Sequence, residues 1–293
     1  MLLDRATLMG LILSTAGAVF VGVALQLRWL HPAYPVPPPE RTAVLVTGAS
    51  GGLGAEFARE FKRLGFVVFG TVRKQADFER LELEGLIKPV LFDVTSAEDA
   101  PRAVERVSAA LQEAGVTLGA LVNNAGITGT GTEDAPAELA GPELYEKVLA
   151  TNVVGVARSS TAFLPLLVQH GRGARIVNIG SYFGEIAPGI GGLVPYVTSK
   201  HAVEGMSDGM RRTLSPQGIA VALIKPGDYE SGMNSRSSAS SDKSDLVGCM
   251  RDAVTHPRPQ SRYYCGQVNG IPVSVLNRVL PIVPDWLRDV RGI

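Results

Sequence analysis

Tyr196 and Lys200 stand four residues apart in PYVTSKHAVEG (195–205), just after Pro195. Nothing between Tyr196 and Gly205 breaks a helix, so the run is expected to be helical. On a helix, residues i and i+4 lie on one face, a turn apart. The Tyr196 phenol would then sit near the Lys200 ammonium. Such a pair is either an ordinary surface contact or a proton donor beside a charge, and the surrounding sequence has to decide between them.

A second element with chemical potential is TGASGGLG (47–54), with Gly48, Gly52 and Gly54 spaced G-x-x-x-G-x-G. It follows the apolar, β-branched run TAVLV and precedes AEFAREFKRLG, whose Phe57, Ala58, Phe61 and Leu64 recur at helical spacing. Glycines let a backbone turn tightly and approach a ligand, and a helix N-terminus offers free N–H groups to a pyrophosphate. The pattern is a variant of the dinucleotide fingerprint. No Gly-Lys-Ser/Thr follows, so a nucleoside-triphosphate loop is disfavoured. An acid at the end of the second strand would hold a ribose 2′-hydroxyl, and a cation there would hold a 2′-phosphate. Here the run is FGTVRK, with Arg73 and Lys74, and Ser50 can add a hydroxyl. NADP(H) is therefore expected over NAD(H).

The elements that must position these groups alternate. FVVFGTV (66–72), KPVLFDV (88–94), LGALVNNAG (118–126), ARIVNIGS (174–181) and IAVALIKPG (219–227) read as further strands. Helical stretches are expected at 96–115, around 142–168 and from Tyr196. Such alternation implies parallel pairing in an α/β, doubly wound sheet of Rossmann type. Short apolar strands fit a sheet covered on both faces. The serine-rich SRSSASSDKSD (235–245) breaks the alternation, as a surface loop or a lid.

The 293-residue chain carries 45% hydrophobic residues, 28 basic and 28 acidic. A balance of zero offers no basic surface for nucleic acid and no acidic tail. Two cysteines, Cys249 and Cys265, do not make a disulfide framework, and no metal-ligand cluster surrounds them. Leu8 to Leu27 is 20 residues without a charge, enough as a helix to cross about 30 Å of hydrocarbon. A transmembrane anchor (residues 1–30) is expected, then a stiff Pro-rich linker (31–41) and a catalytic domain (42–293). A cleaved signal peptide is the rival reading, but its apolar core is usually about 7–15 residues. The expected location is the endoplasmic reticulum or another intracellular membrane, with the catalytic domain in the cytosol. The tail VSVLNRVLPIVPDWLRDVRGI (273–293) has apolar residues at helical intervals and could pack as core, lie on a membrane surface or cap the substrate mouth.

TGASGGLG, Asp93 in FDV, NNAG (123–126), Asn152 in TNVVG, Ser181 in NIGS, Tyr196-x-x-x-Lys200 and Pro226-Gly227 occur in order. Together they resemble the short-chain dehydrogenase/reductase family over roughly residues 42–235. VEGMSDGMRR and the C-terminal RYYCG run further resemble its retinol, hydroxysteroid and hydroxybutyrate dehydrogenase branch. The resemblance implies that Tyr196 is the general acid/base. It implies that Ser181 orients the substrate oxygen and that Asn152 holds a proton-relay water. Lys200 would bond the nicotinamide ribose and lower the Tyr196 pKa. A free phenol titrates near 10, so reaching 7 takes roughly 4 kcal/mol, and an ammonium ~4 Å away contributes about that much at an effective dielectric of 20. By the same resemblance Gly48, Ser50, Gly52, Leu53 and Gly54 cradle the dinucleotide. Asp93 and Val94 contact adenine. Asn123, Ala125 and Gly126 carry the turn beside the nicotinamide ribose. Pro226 and Gly227 pass the nicotinamide, and Ser231 bonds its carboxamide.

The implied activity is hydride transfer between NADP(H) and a ketone or aldehyde, with a lipophilic substrate of steroid, retinoid or fatty-acyl type suited to the anchor. A homo-oligomer is expected from the resemblance alone. Two alternatives use the same fold: a non-enzymatic nucleotide sensor or scaffold, and epimerase or dehydratase chemistry on a nucleotide sugar. The intact Ser181/Tyr196/Lys200 set with Asn152 disfavours the first, and the spacing of the glycine turn disfavours the second.

Overall fold

The structure is a computed structural model describing residues 33–129, 139–187, 191–229, 242–268 and 270–279. The apolar span 8–27, Ser231, the serine-rich run up to residue 241 and the tail beyond Val279 lie outside the described residues. The described residues from Tyr34 onward form one compact unit.

In chain order the elements are β1 (Thr42–Val46), α1 (Gly52–Arg63), β2 (Val67–Val72), α2 (Gln75–Glu84), β3 (Lys88–Leu91), α3 (Asp99–Ala114) and β4 (Thr117–Asn123). Then come α4 (Pro142–Leu149), a π turn (Ala150–Val154), α5 (Gly155–His170), β5 (Arg175–Ile179), α6 (Val194–Leu214) and β6 (Ala220–Pro226). The chain continues through α7 (Lys243–Thr255), β7 (Arg262–Cys265), a small hairpin β8 (Gln267–Val268) and β9 (Ile271–Pro272), and α8 (Val273–Val279). Among the described residues, seven strands pair in the order β3-β2-β1-β4-β5-β6-β7, every neighbour parallel. The doubly wound sheet expected from the alternation is present.

The strands carry apolar residues on both faces because both faces are covered; β1, TAVLV, is buried throughout. One face packs Phe57 and Phe61 of α1, Phe78 and Leu81 of α2, and Leu246 and Met250 of α7. The other packs Val107 and Leu111 of α3, Phe163 and Leu167 of α5, and Leu214 of α6. Burying side chains of this size contributes about 1.5–3 kcal/mol each. Helices α2 and α7 had no sequence expectation. In α2 only Phe78 and Leu81 are buried, too few apolar positions for a clear period.

Among the described residues, the one helical stretch long and apolar enough to cross a membrane is Pro142–His170. Its apolarity has a local cause: its second half lies against the sheet, with Phe163 and Leu167 fully buried. The Pro-rich segment enters the compact unit at Tyr34. That ring is buried under the Arg175 guanidinium at 5.2 Å, and Arg175 also donates to the Pro35 carbonyl.

One expectation needs correcting. Cys249 and Cys265, read as forming no disulfide framework, are joined in a disulfide. Cys249 lies on α7, which packs on the sheet beside β7 and so faces Cys265. Their proximity depends on strand order, which residue counts do not reveal.

Candidate active site

Helix α1 packs on one face of the sheet and α5 on the other, so the chain reverses between adjacent strands β1 and β4. Ligands of open α/β sheets bind outside the strand C-termini at such a switch point. A cavity of about 510 Å³ opens there. It is walled by the glycine turn after β1, by Arg73 and Lys74 after β2, by the Asn124–Gly126 turn after β4, by Ser181 after β5 and by Pro226 and Gly227 at the end of β6.

The glycine turn is built as a cradle. Gly48 (φ 69°) and Gly52 (φ 54°) occupy the left-handed region that side chains disfavour. A Cβ on Gly54 would fall 2.3 Å from the Gly48 carbonyl oxygen, so Gly54 lets α1 close onto the turn and does not itself line the cavity. At Gly51 a Cβ would meet nothing within 4 Å, and no side chain caps the first turn of α1. That open cradle at a helix N-terminus fits a pyrophosphate. Two residues absent from the expectations hold it in place. Thr47 Oγ1 accepts from the backbone N–H of Asn124 (2.9 Å) and of Ala125 (3.0 Å), and Asn124 Nδ2 donates to the Thr47 carbonyl at 2.9 Å. Asn124 lay within the NNAG motif, but its partner is 77 residues away. Arg80, also unanticipated, donates to the Ser50 carbonyl at 2.7 Å. Arg73 and Lys74 are exposed and border the same end of the cavity as Ser50 and Asp77; Asp77 faces Arg80 at 3.6 Å.

Ser181, Tyr196 and Lys200 converge on the other end. Ser181 is buried, and its Oγ accepts from Phe183 N–H, opening the short 3-10 turn Tyr182–Gly184. Tyr196 is partly buried, with the Phe183 ring edge-on at 6.4 Å. Lys200 Nζ lies 5.5 Å from the Tyr196 ring centroid and donates to the Ile179 carbonyl at 2.9 Å. The expected helix therefore does put phenol and ammonium on one face.

Their electrostatics differ from the expectation. Burial pushes the Tyr196 phenol above its usual value, and a hydrogen bond with Ser181 offsets only part of this. Burial also draws the Lys200 ammonium down to about 8. For both groups the cost of desolvation is the largest influence.

Three other expected residues bond within the protein through their side chains. Asn123 is buried in the interior. It donates to Ser160 Oγ (2.9 Å) and Asn178 Oδ1 (2.8 Å) and accepts from Ser159 Oγ (2.6 Å). It ties β4 to α5 and β5, and the cavity wall is formed by the residues after it. Asp93 spends Oδ1 on the Thr95 N–H and hydroxyl and is not among the lining residues; Val94 is. Asn152, in the π turn, accepts from Ile127 N–H and donates to the Ile127 carbonyl, both at 2.8 Å, and donates to Ser199 Oγ at 2.9 Å. Ser199 in turn donates to the Tyr196 carbonyl. Both amide protons of Asn152 are thus committed, and it buttresses the Tyr196 helix. Ser231 lies outside the described residues.

The model of the short chain dehydrogenase family matches residues 42–242. Retinol dehydrogenase 16 of Homo sapiens is 33% identical over 221 residues, 75% of this chain and 67% of that protein. The mitochondrial D-beta-hydroxybutyrate dehydrogenase of Rattus norvegicus is 34% identical over 193 residues, 64% of this chain and 54% of that protein, so the match spans about half the relative's length. Among solved structures, a short chain dehydrogenase from Burkholderia cenocepacia in complex with NADP superposes with a TM-score of 0.68 at 25% identity, covering 85% of this chain and 95% of that one.

Proposed function

We propose that this chain, which belongs to the short-chain dehydrogenase/reductase family and is an oxidoreductase, interconverts a ketone or aldehyde and an alcohol on a lipophilic substrate with NADP(H). The observation that carries the reading is the single cavity in which Ser181, Tyr196 and Lys200 stand at one end and the glycine cradle, Arg73 and Lys74 at the other.

The family's nicotinamide cofactor supplies or accepts a hydride at its ring. The chain's own residues do the rest. Ser181 Oγ donates to the substrate oxygen and fixes its position. Tyr196 delivers its proton to that oxygen as an alkoxide develops, and takes it back in the reverse direction. Because burial favours the neutral phenol, Tyr196 is held in its donating form at neutral pH, which suits carbonyl reduction. Lys200 faces the phenol ring and stabilises the tyrosinate left behind.

The NADP(H) preference rests on Arg73 and Lys74, exposed cations able to make charge-assisted bonds to a 2′-phosphate. A lipophilic substrate is supported by the retinol named in one relative and by the apolar span 8–27 as an anchor; the hydroxybutyrate named in the other is the polar counter-example. The Cys249–Cys265 disulfide argues against a cytosolic catalytic domain, since disulfides persist in oxidising compartments.

The test is a fluorescence titration of the full chain in detergent with NADPH and with NADH, beside Arg73→Ala. NADPH should bind more tightly, by roughly 10-fold or more for charge-assisted contacts, and Arg73→Ala should erase the difference. Tighter NADH binding would overturn the cofactor assignment, and failure to bind either would favour the scaffold reading.

A further inference from the structure

Lys225 is the last residue but one of β6, in a strand otherwise apolar throughout, AVALIKP. Its side chain is fully buried, and Nζ lies 2.5 Å from Glu185 Oε1 and 2.5 Å from Glu204 Oε1. Both contacts are ionic and off the angles of a directed hydrogen bond. A buried ion pair is weak as a source of stability, because well-packed apolar residues often do as well; holding a register is its better-attested use.

The two carboxylates belong to the segments that carry the catalytic set. Glu185 ends the 3-10 turn that Ser181 begins. Glu204 lies on α6 one turn beyond Lys200. Gly184 lets these segments touch, since a Cβ there would fall 3.0 Å from Glu204 Oε1 and 3.2 Å from the Lys200 carbonyl oxygen. Two carboxylates brought this close repel each other unless a cation stands between them. Lys225 is that cation, and the residues directly after it, Pro226 and Gly227, form another wall of the cavity. The outer ring completes the charge balance. Arg262 on β7 bonds Glu204 (3.0 Å) and Asp208 (2.9 Å), and Arg211 pairs with Asp208. Tyr264 donates to Glu185 at 3.2 Å. The Asn277 amide of α8, in the orientation its neighbours require, donates to Glu185 at 2.6 Å.

We propose that Lys225 is a positioning residue that sets the distance of Ser181 from Tyr196 and Lys200 by clamping Glu185 to Glu204, and that α8 closes the clamp from outside. The inference rests on Tyr196 as the proton donor. That reading fails separately, if Tyr196→Phe keeps the wild-type rate.

The test uses the full chain with Lys225→Met, Glu185→Gln and the two combined. Turnover is measured with NADPH and 4-nitrobenzaldehyde as the probe aldehyde. The Tyr196 phenol is titrated by NMR of 13Cζ-labelled tyrosine, its signal identified by loss in Tyr196→Phe. Glu185 is partly exposed, so Glu185→Gln is the variant expected to stay folded should Lys225→Met fail to. A misplaced serine should lower kcat by about 10- to 100-fold while KM for NADPH stays within about twofold. The titration gives a signature that general loosening would not. Removing Lys225 leaves excess negative charge and should raise the Tyr196 midpoint, whereas Glu185→Gln leaves excess positive charge and should lower it. Combining the two should bring the midpoint back toward wild type. The proposal is overturned if Glu185→Gln leaves both kcat and the Tyr196 midpoint unchanged, or if both single variants move the midpoint the same way. If the probe aldehyde is not turned over, the opposing shifts decide alone.

Discussion

Replacing Lys200 with methionine should abolish activity and make the protein more stable. The ammonium is buried, and burial alone draws its pKa from 10.5 to about 8. At ~1.36 kcal/mol per unit, keeping it charged costs the fold about 3 kcal/mol. Methionine has similar length and no charge, so it removes that cost. It also removes the donor to the Ile179 carbonyl, a loss of roughly 1–2 kcal/mol. The net gain is about 1–2 kcal/mol, or about 2–8 °C in Tm for a domain of this size. The sign of the pH dependence follows from linkage. Below about 8 the lysine is charged in both the folded and unfolded states, and the whole cost is present. Between about 8 and 10.5 the unfolded chain holds more protons, so wild-type stability rises with pH. Above 10.5 the lysine is neutral in both states and the advantage of methionine disappears. Paired thermal melts of Lys200→Met and wild type from pH 7 to 10.5 measure the difference, which cancels the other titrating groups. A variant less stable than wild type at pH 7, or a difference that does not change with pH, would refute the reasoning.

Three further outcomes are expected. Gly54→Ala should both destabilise the protein, by about 1–3 kcal/mol for overpacking, and abolish NADPH binding, because its Cβ meets the Gly48 carbonyl at 2.3 Å. Gly51→Ala, with open space at its Cβ, should keep the Tm and weaken binding only; equal melting losses in the two variants would contradict this. Asn152→Ala should cost stability as well as activity, since each orphaned Ile127 group is worth roughly 1–3 kcal/mol; an unchanged Tm would sink the buttressing role. Under non-reducing conditions neither Cys249 nor Cys265 should react with iodoacetamide. Reduction should lower stability by about 3 kcal/mol for a loop of this length, and full labelling without reductant would remove the disulfide from the account.

What the chain determined locally, it determined by period and by turn chemistry. The interval from Tyr196 to Lys200 places both on one helical face whatever surrounds them, and TGASGGLG demands a tight turn before α1 by backbone sterics alone. Alternating apolar runs dictate a parallel sheet covered on both sides. Tertiary structure decided the rest, because it depends on partners far apart in the chain and on exclusion of water. Asn123 and Asn124 are neighbours in sequence, yet one faces the interior and the other the glycine turn, and only the position of β4 between β1 and β5 says which. The Asn152 side chain meets Ile127 and Ser199 only because the fold brings those distant residues to it. Cys249 meets Cys265, and Lys225 meets Glu185 and Glu204, through the packing of α7 and α6 on β7 and β6. The direction in which Tyr196 is tuned was also beyond local reading. A charge four residues away favours ionisation, but burial opposes it, and how far water is excluded is a property of the folded molecule.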